Sequence, residues 1–170
     1  MLENIIIVDK NDNIIWHTFR HERKSNDIYR VSALWIHNSA WDILLAQRHK
    51  NKESNPGKWS TAAAGTNAEG ETYESNIYKE AAEEIGLTGV VFEERMKIDR
   101  TDGEFPYFCQ WFSCTLDRDI GDFHIQEEEV QDLKWWPREE LRKAIQETPE
   151  LFTKNMPKYF EMFENSELWK

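Results

Sequence analysis

Cysteine, proline and glycine are scarce in this chain, at 2, 5 and 7 of 170 residues. So few cysteines argue against a disulfide-stapled scaffold, and so little glycine and proline against a collagen-like or low-complexity chain. Cys109 and Cys114 stand five apart in a strand-like stretch. Their side chains are therefore expected on opposite faces, as reduced, partly buried thiols of a cytoplasmic protein. Long apolar runs are also missing. Nothing approaches the ~20 residues of a membrane helix, Ile5–Val8 is too short for a signal core, and Met1–Asn4 carries no basic segment. No membrane association is expected. Cations are outnumbered, 21 Lys and Arg against 32 Asp and Glu, for a net charge of −11. That balance argues against a stable nucleic-acid complex, which needs a cationic surface. It leaves room for phosphate chemistry, because a divalent cation that meets phosphate needs carboxylates. What the chain does have is aromatic residues, 13% of the total with 8 Trp. Wholesale disorder is excluded on that count, and the length fits one domain over residues 1–170 with a sizeable core.

Hydrophobic periodicity predicts strands at 3–8, 14–19, about 30–37 and 43–48, with a hairpin joining the last two. The imperfect alternation of 30–37 suggests a strand covered on both faces. Asn55-Pro56-Gly57 marks a turn, and Trp59–Gly65 is a run of small residues after one Trp. Thr72–Ile85 has the clearest helical pattern, with Ile77, Tyr78, Ala81, Ala82 and Ile85 on one side and Gly86 at the expected C-terminal cap. Strands follow at 90–99, 105–116 and 130–136, with a turn at Asp102-Gly103. Pro137 opens a helix through about Gln146, and 149–168 reads as helical, with Pro157 breaking or restarting it. A mixed sheet packed between helices is expected.

The informative stretch is Gly65-Thr-Asn-Ala-Glu-Gly-Glu71 followed, after seven residues, by Lys79-Glu80-Ala81-Ala82-Glu83-Glu84-Ile85-Gly86-Leu87. On a helix, Glu80, Glu83 and Glu84 share a face turned away from the apolar stripe. Like charges so spaced repel and weaken a helix. A glutamate run is usually only a solvated face. Here a glycine loop enters the same helix, and a bound Mg²⁺ or Mn²⁺, both hard ions preferring oxygen, would offset the repulsion.

Gly65–Leu87 resembles the Nudix box, matching it at Gly65, Glu71, Glu80, Glu83, Glu84, Gly86 and Leu87. The resemblance implies an α/β Nudix fold, an α/β/α sandwich with a mixed β-sheet between helices. The box spans 65–87 of a single Nudix domain, and a helical segment follows at about 138–168. It implies a pyrophosphohydrolase that needs Mg²⁺ or Mn²⁺ and cleaves a nucleoside diphosphate linked to another moiety. By position, Glu80 and Glu84 lead as metal ligands, Glu83 is next, and the Ala64 carbonyl is a further candidate. Glu71 would support the loop, alongside Gly65. Water attacks phosphorus, and a carboxylate acts as base; Glu83, Glu84 and Glu129 are the candidates, with Glu127 and Glu128 beside the last. Lys79 replaces the box arginine, keeping the charge but losing a planar two-pronged contact, which implies reduced precision of the site.

Ile7–Asp12, Arg30–Ala33, Leu44–Arg48 and Asn55–Trp59 together resemble the isopentenyl-diphosphate-isomerase-like branch of Nudix proteins. That isomerase uses a Cys followed by Gly-His, where this chain has Ala64, Gly65 and Thr66. A methyl group transfers no proton, so the isomerase ranks below the hydrolase as a rival. A non-catalytic nucleotide- or metabolite-binding protein is the third reading, favoured only by Lys79. Trp35, Trp59, Trp111, Trp135 and Trp136 are expected mostly in the core. Arg48 and Lys58 flank the loop before the box as candidate phosphate contacts. The apolar face running from Leu151 through Phe163 to Trp169 would close over the sheet or form a homodimer surface.

Overall fold

The computed structural model describes residues 3–103 and 105–166. These residues form an α/β architecture, a mixed β-sheet with three α-helices. The chain clusters into two compact units, Met1–Trp35 with Ala63–Glu83 and Leu87–Cys114, and Ile36–Ala62 with Glu84–Gly86 and Thr115–Lys170.

In the first unit β1 (Asn4–Val8) is β-branched throughout its core, and Ile5, Ile6, Ile7 and Val8 are all buried. Both faces of this strand are covered, so its apolar run does not alternate. The Asp9 carboxylate then accepts the N–H groups of Asn11 and Asn13. That turn sends β2 (Ile14–Phe19) back antiparallel to β1. The strand β3 (Ile28–His37) begins two residues earlier than its pattern suggests and is buried on both faces from Ser32 onward. Its Val31–Leu34 stretch pairs with Ala63–Thr66. The small-residue run after Trp59 thus forms two short strands, β5 (Trp59–Thr61) and β6 (Ala63–Thr66). Strand β7 (Glu93–Asp99) starts three residues later than expected. Gly89 turns with φ +73°, Val91 is exposed, and the Phe92 N–H is taken by the Tyr78 hydroxyl at 3.0 Å rather than by a neighbouring strand. Its partner β8 (Tyr107–Thr115) buries Cys109 and Cys114, both free thiols and more deeply covered than expected.

Between β6 and β7 the chain forms α1 (Tyr73–Ile85). Thr72 and Ser75 cap its start reciprocally: Ser75 N–H donates to Thr72 Oγ1 at 3.0 Å, and Thr72 N–H to Ser75 Oγ at 2.8 Å. Ile77, Ala81 and Ile85 supply the buried stripe, while Tyr78 and Ala82 are half-buried at its margins. The helix ends at Gly86, φ +65°, with Leu87 N–H returning to the Ala81 carbonyl at 2.9 Å. A Cβ at Gly86 would fall 2.9 Å from the His124 Cβ and backbone oxygen. Gly86→Ala should therefore cost about 1–2 kcal/mol for the left-handed residue alone. Thermal melting should register several degrees lost; an unchanged Tm would refute this stop signal.

In the second unit β4 (Ile43–Arg48) pairs with the end of β3, with β5 and with β9 (Val130–Trp136), each time antiparallel. A parallel bridge joins Trp59 to Phe152. The helix α2 (Arg138–Glu147) follows Pro137. The described part of the 149–168 region, 149–166, is helical in two pieces, the second starting at Pro157's turn. It is a 3-10 turn at Pro149–Leu151 and a short α3 (Met156–Glu164), with Pro157 in the first turn, where its missing N–H is harmless. Phe152, Met156, Phe160 and Phe163 are buried and Leu151 is exposed, while Leu168 and Trp169 lie outside the described residues. Of the tryptophans singled out, Trp35, Trp59, Trp111 and Trp136 are buried. No helix among the described residues is long and apolar enough to cross a membrane.

Arg138 and Arg142 of α2 both donate to the Glu164 carboxylate of α3. Burial raises the pKa of Glu164, but those two guanidinium groups outweigh it and hold it below the ordinary value. Its stabilising contribution is present above the unfolded carboxylate pKa, about 4.3. It is lost as pH falls through the lower folded value. Glu164→Gln should lower stability by about 1 kcal/mol at pH 7, and the gap in Tm should close toward pH 3. A gap constant with pH would reject an ionic origin.

Candidate functional site

The first unit sets the glycine loop against the acidic helix. Gly65 on β6 lies opposite Ser32 of β3, and the side chain of Glu80 rests on the bare α-carbon of this glycine. A Cβ there would sit 2.1 Å from the Glu80 carboxyl carbon and Oε1, so only glycine leaves this carboxylate its place. Glu71 closes the loop. Its Oε2 accepts the Ala68 N–H at 2.7 Å and Asn76 Nδ2 at 2.9 Å, and its Oε1 accepts Lys79 Nζ at 3.1 Å. Lys79 also reaches Glu3 Oε1 at 3.4 Å. Asn76 Nδ2 extends to Glu80 Oε1 at 3.3 Å and to the Thr66 carbonyl at 3.4 Å. Glu83 is exposed on the next turn.

The electrostatics separate two kinds of glutamate. Burial raises the pKa of Glu71, but the Ala68 N–H, Lys79 and Asn76 outweigh it, and the group stays below the ordinary value. Glu71 is thus an ionised brace. Glu80 moves the other way. Burial raises its pKa, Lys79 pulls against that, and the charges of Glu83, Glu3 and Glu71 add to the rise. Lys79 itself is depressed by burial and raised more by Glu71 and Glu3. Its charge is therefore committed to the brace, and Glu80 and Glu83 remain as surplus negative charge.

In the second unit, the backbone oxygen of Glu84 accepts the Gln126 N–H at 3.0 Å, and its side chain is half-buried. Glu129 is ion-paired to Lys52, while Glu127 and Glu128 are exposed. Arg48 donates to the carbonyl and hydroxyl of Ser54, and Lys58 to the Glu150 carbonyl at 2.7 Å. Both cations hold loops together. Ala64 is exposed on β6. Among the described residues no three His, Cys, Asp or Glu side chains converge in ligating geometry. Like charges at these spacings push their side chains apart.

The donor set nevertheless fits a hard divalent cation. It is all oxygen, it carries unneutralised charge, and the Gly65 cradle holds one carboxylate where any Cβ would displace it. A cavity of about 550 Å³ in the second unit is a different matter. Asp42, Asp117, Asp119, Asp122 and Trp135 line it beside Arg118, and none of the box glutamates is among its lining residues.

Three contributors escaped sequence reasoning: Glu3, Lys52 and Asn76. The first two act across long separations with no local signal. Asn76 did leave one, because an asparagine four residues before Glu80 on a helix is placed to hydrogen-bond it.

Residues 28–156 match the NUDIX domain family. The chain is 31% identical over 152 residues to an uncharacterized Nudix hydrolase of Yersinia pestis, covering 88% of this chain and 82% of that one. It is 27% identical to the Nudix hydrolase YfcD of Escherichia coli K12 over 150 residues, covering 87% and 82%. Its fold is similar to that of DR0079 from Deinococcus radiodurans, with a TM-score of 0.82 at 17% identity over 94% and 98% of the two chains. It also resembles the NUDIX domain of Shewanella oneidensis NrtR, crystallised with ADP-ribose, with a TM-score of 0.63 at 18% identity over 86% and 92%.

Proposed function

The chain belongs to the Nudix family of pyrophosphohydrolases, and from that premise we propose that it cleaves the diphosphate linkage of a nucleoside diphosphate joined to another moiety, with Mg²⁺ or Mn²⁺ as cofactor. One observation carries most weight: the Glu80 carboxylate lies on Gly65 as surplus charge, while Glu71 and Lys79 neutralise each other beside it. In this reading Glu80 and Glu84 hold metal, Glu83 assists, and the Ala64 carbonyl adds a neutral oxygen. A divalent cation bound there would lower the pKa of its water and offset charge on the diphosphate. The protein's own part is to fix these oxygens and to take the proton of the attacking water on a carboxylate, from Glu83, Glu84 or Glu129. The bond broken is P–O within the diphosphate, and both products leave as phosphates.

The segments before the box support placing the chain near the isomerase-like branch, yet the chemistry of that isomerase lacks a group here. Ala64 offers a methyl, and burial pushes the thiols of Cys109 and Cys114 up to about 12. A binding role is the other reading, and the ADP-ribose complex of the Shewanella NUDIX domain supports testing that ligand.

The test is a panel of ADP-ribose, nucleoside diphosphate sugars, dinucleoside polyphosphates and isopentenyl diphosphate, each with Mg²⁺, Mn²⁺ or EDTA. Metal-dependent release of two phosphate products is expected. Interconversion of isopentenyl diphosphate without phosphate release would overturn the hydrolase in favour of the isomerase. A thermal shift with ADP-ribose but no product would overturn it in favour of binding.

A further inference from the structure

Asn76 is fully buried in α1, yet its side chain is polar and only half satisfied. The Oδ1 atom has no hydrogen-bond partner among the described residues. The Nδ2 atom is oversubscribed, facing Glu71 Oε2 at 2.9 Å, Glu80 Oε1 at 3.3 Å and the Thr66 carbonyl at 3.4 Å. A buried carbonyl without a partner is costly, and the helix gains nothing from asparagine in its interior. Its neighbours on the buried stripe, Ile77 and Ala81, show what packing alone would select. Turning the amide over would not help, because Oδ1 would then face two carboxylates.

The feature that explains this residue is its donor. Lys79 is a point charge on a flexible stem, directed to Glu71 Oε1 and Glu3 Oε1. It fixes the brace, and Asn76 is what links the brace to Glu80. We propose that Asn76 is a positioning residue. Its amide ties Glu71 to Glu80 and presets the Glu80 carboxylate over Gly65 for a divalent cation. This rests on the metal-dependent reading above. Partners that orient a metal ligand commonly matter by 10–100-fold in affinity.

Titration of the purified protein with Mn²⁺ alone, followed by the EPR signal of the free ion, tests this without any substrate. Asn76→Ala should weaken Mn²⁺ binding by about 10–100-fold, in protein that its melting curve shows to be folded at the temperature of the titration. Asn76→Leu keeps the volume but removes the donor, so it should weaken Mn²⁺ binding as far as Asn76→Ala does. A merely space-filling Asn76 gives another order, with Leu near wild type and Ala worse. That order, or Mn²⁺ affinity within twofold of wild type in Asn76→Ala, would overturn the inference while the metal-dependent reading stands. Wild-type protein that binds no Mn²⁺ would overturn both.

Discussion

Glu80→Gln should reduce turnover by on the order of 10³-fold without lowering the melting temperature. The substitution keeps size and a hydrogen-bond acceptor for Asn76 Nδ2, so the bond seen at 3.3 Å survives. What disappears is charge. Burial holds the pKa of Glu80 above the ordinary value, against the pull of Lys79, with Glu83, Glu3 and Glu71 adding to the rise. A carboxyl with a raised folded pKa favours the native state while protonated and opposes it once ionised. At pH 7 the ionised Glu80 is therefore a net cost to the fold, and the neutral amide removes that cost. The Tm of Glu80→Gln should equal or exceed wild type at pH 7, and the difference should vanish below the unfolded carboxylate pKa, about 4.3. Product release on the best substrate of the panel, with Tm across pH, measures both halves. Wild-type turnover in the variant would remove Glu80 from the site, and a large drop in Tm would mean that its role is structural.

The parts of this molecule legible in its sequence share one property: they are local. The stripe Ile77, Ala81 and Ile85 and the stop at Gly86 are periodic features of α1, readable from spacing alone. The strands 14–19, 43–48 and 130–136 have the bounds that their local patterns give. Errors gather where a neighbour distant in sequence decides. The run after Trp59 splits into β5 on β4 and β6 on β3, and those two partners are invisible locally. Lys79 finds Glu3 at a separation of 76 residues, and Lys52 finds Glu129 at 77. Lys58, a candidate phosphate contact by position, also donates to the Glu150 carbonyl at a separation of 92 residues. The carboxylates of the site could be named because a spaced pattern carries them. The direction of each one's pKa could not, since burial and neighbours set it: Glu71 falls and Glu80 rises although both are glutamates of one motif.

Gly65→Ala is expected to disable the site while leaving the fold nearly intact, and the reason is geometric. The added Cβ would lie 2.1 Å from the Glu80 carboxyl carbon and Oε1, and 2.5 Å from its Cγ. No heavy atoms can share that space. The obstacle is the far end of one flexible side chain rather than backbone, so Glu80 swings away and β6 keeps its pairing with β3. The displaced carboxylate exchanges a buried, repelled position for water, and the loss of one amide bond to Asn76 offsets part of that gain. The net change in stability should stay within about 1 kcal/mol, a shift of a few degrees in Tm. Turnover should fall about as far as in Glu80→Gln. Because both substitutions act through one carboxylate, their effects on Mn²⁺ affinity should not add. In a Glu80→Gln background, Gly65→Ala should change that affinity little, whereas alone it should weaken it strongly. Equal losses in both backgrounds would show that Gly65 serves the loop by some route other than the room it leaves for Glu80.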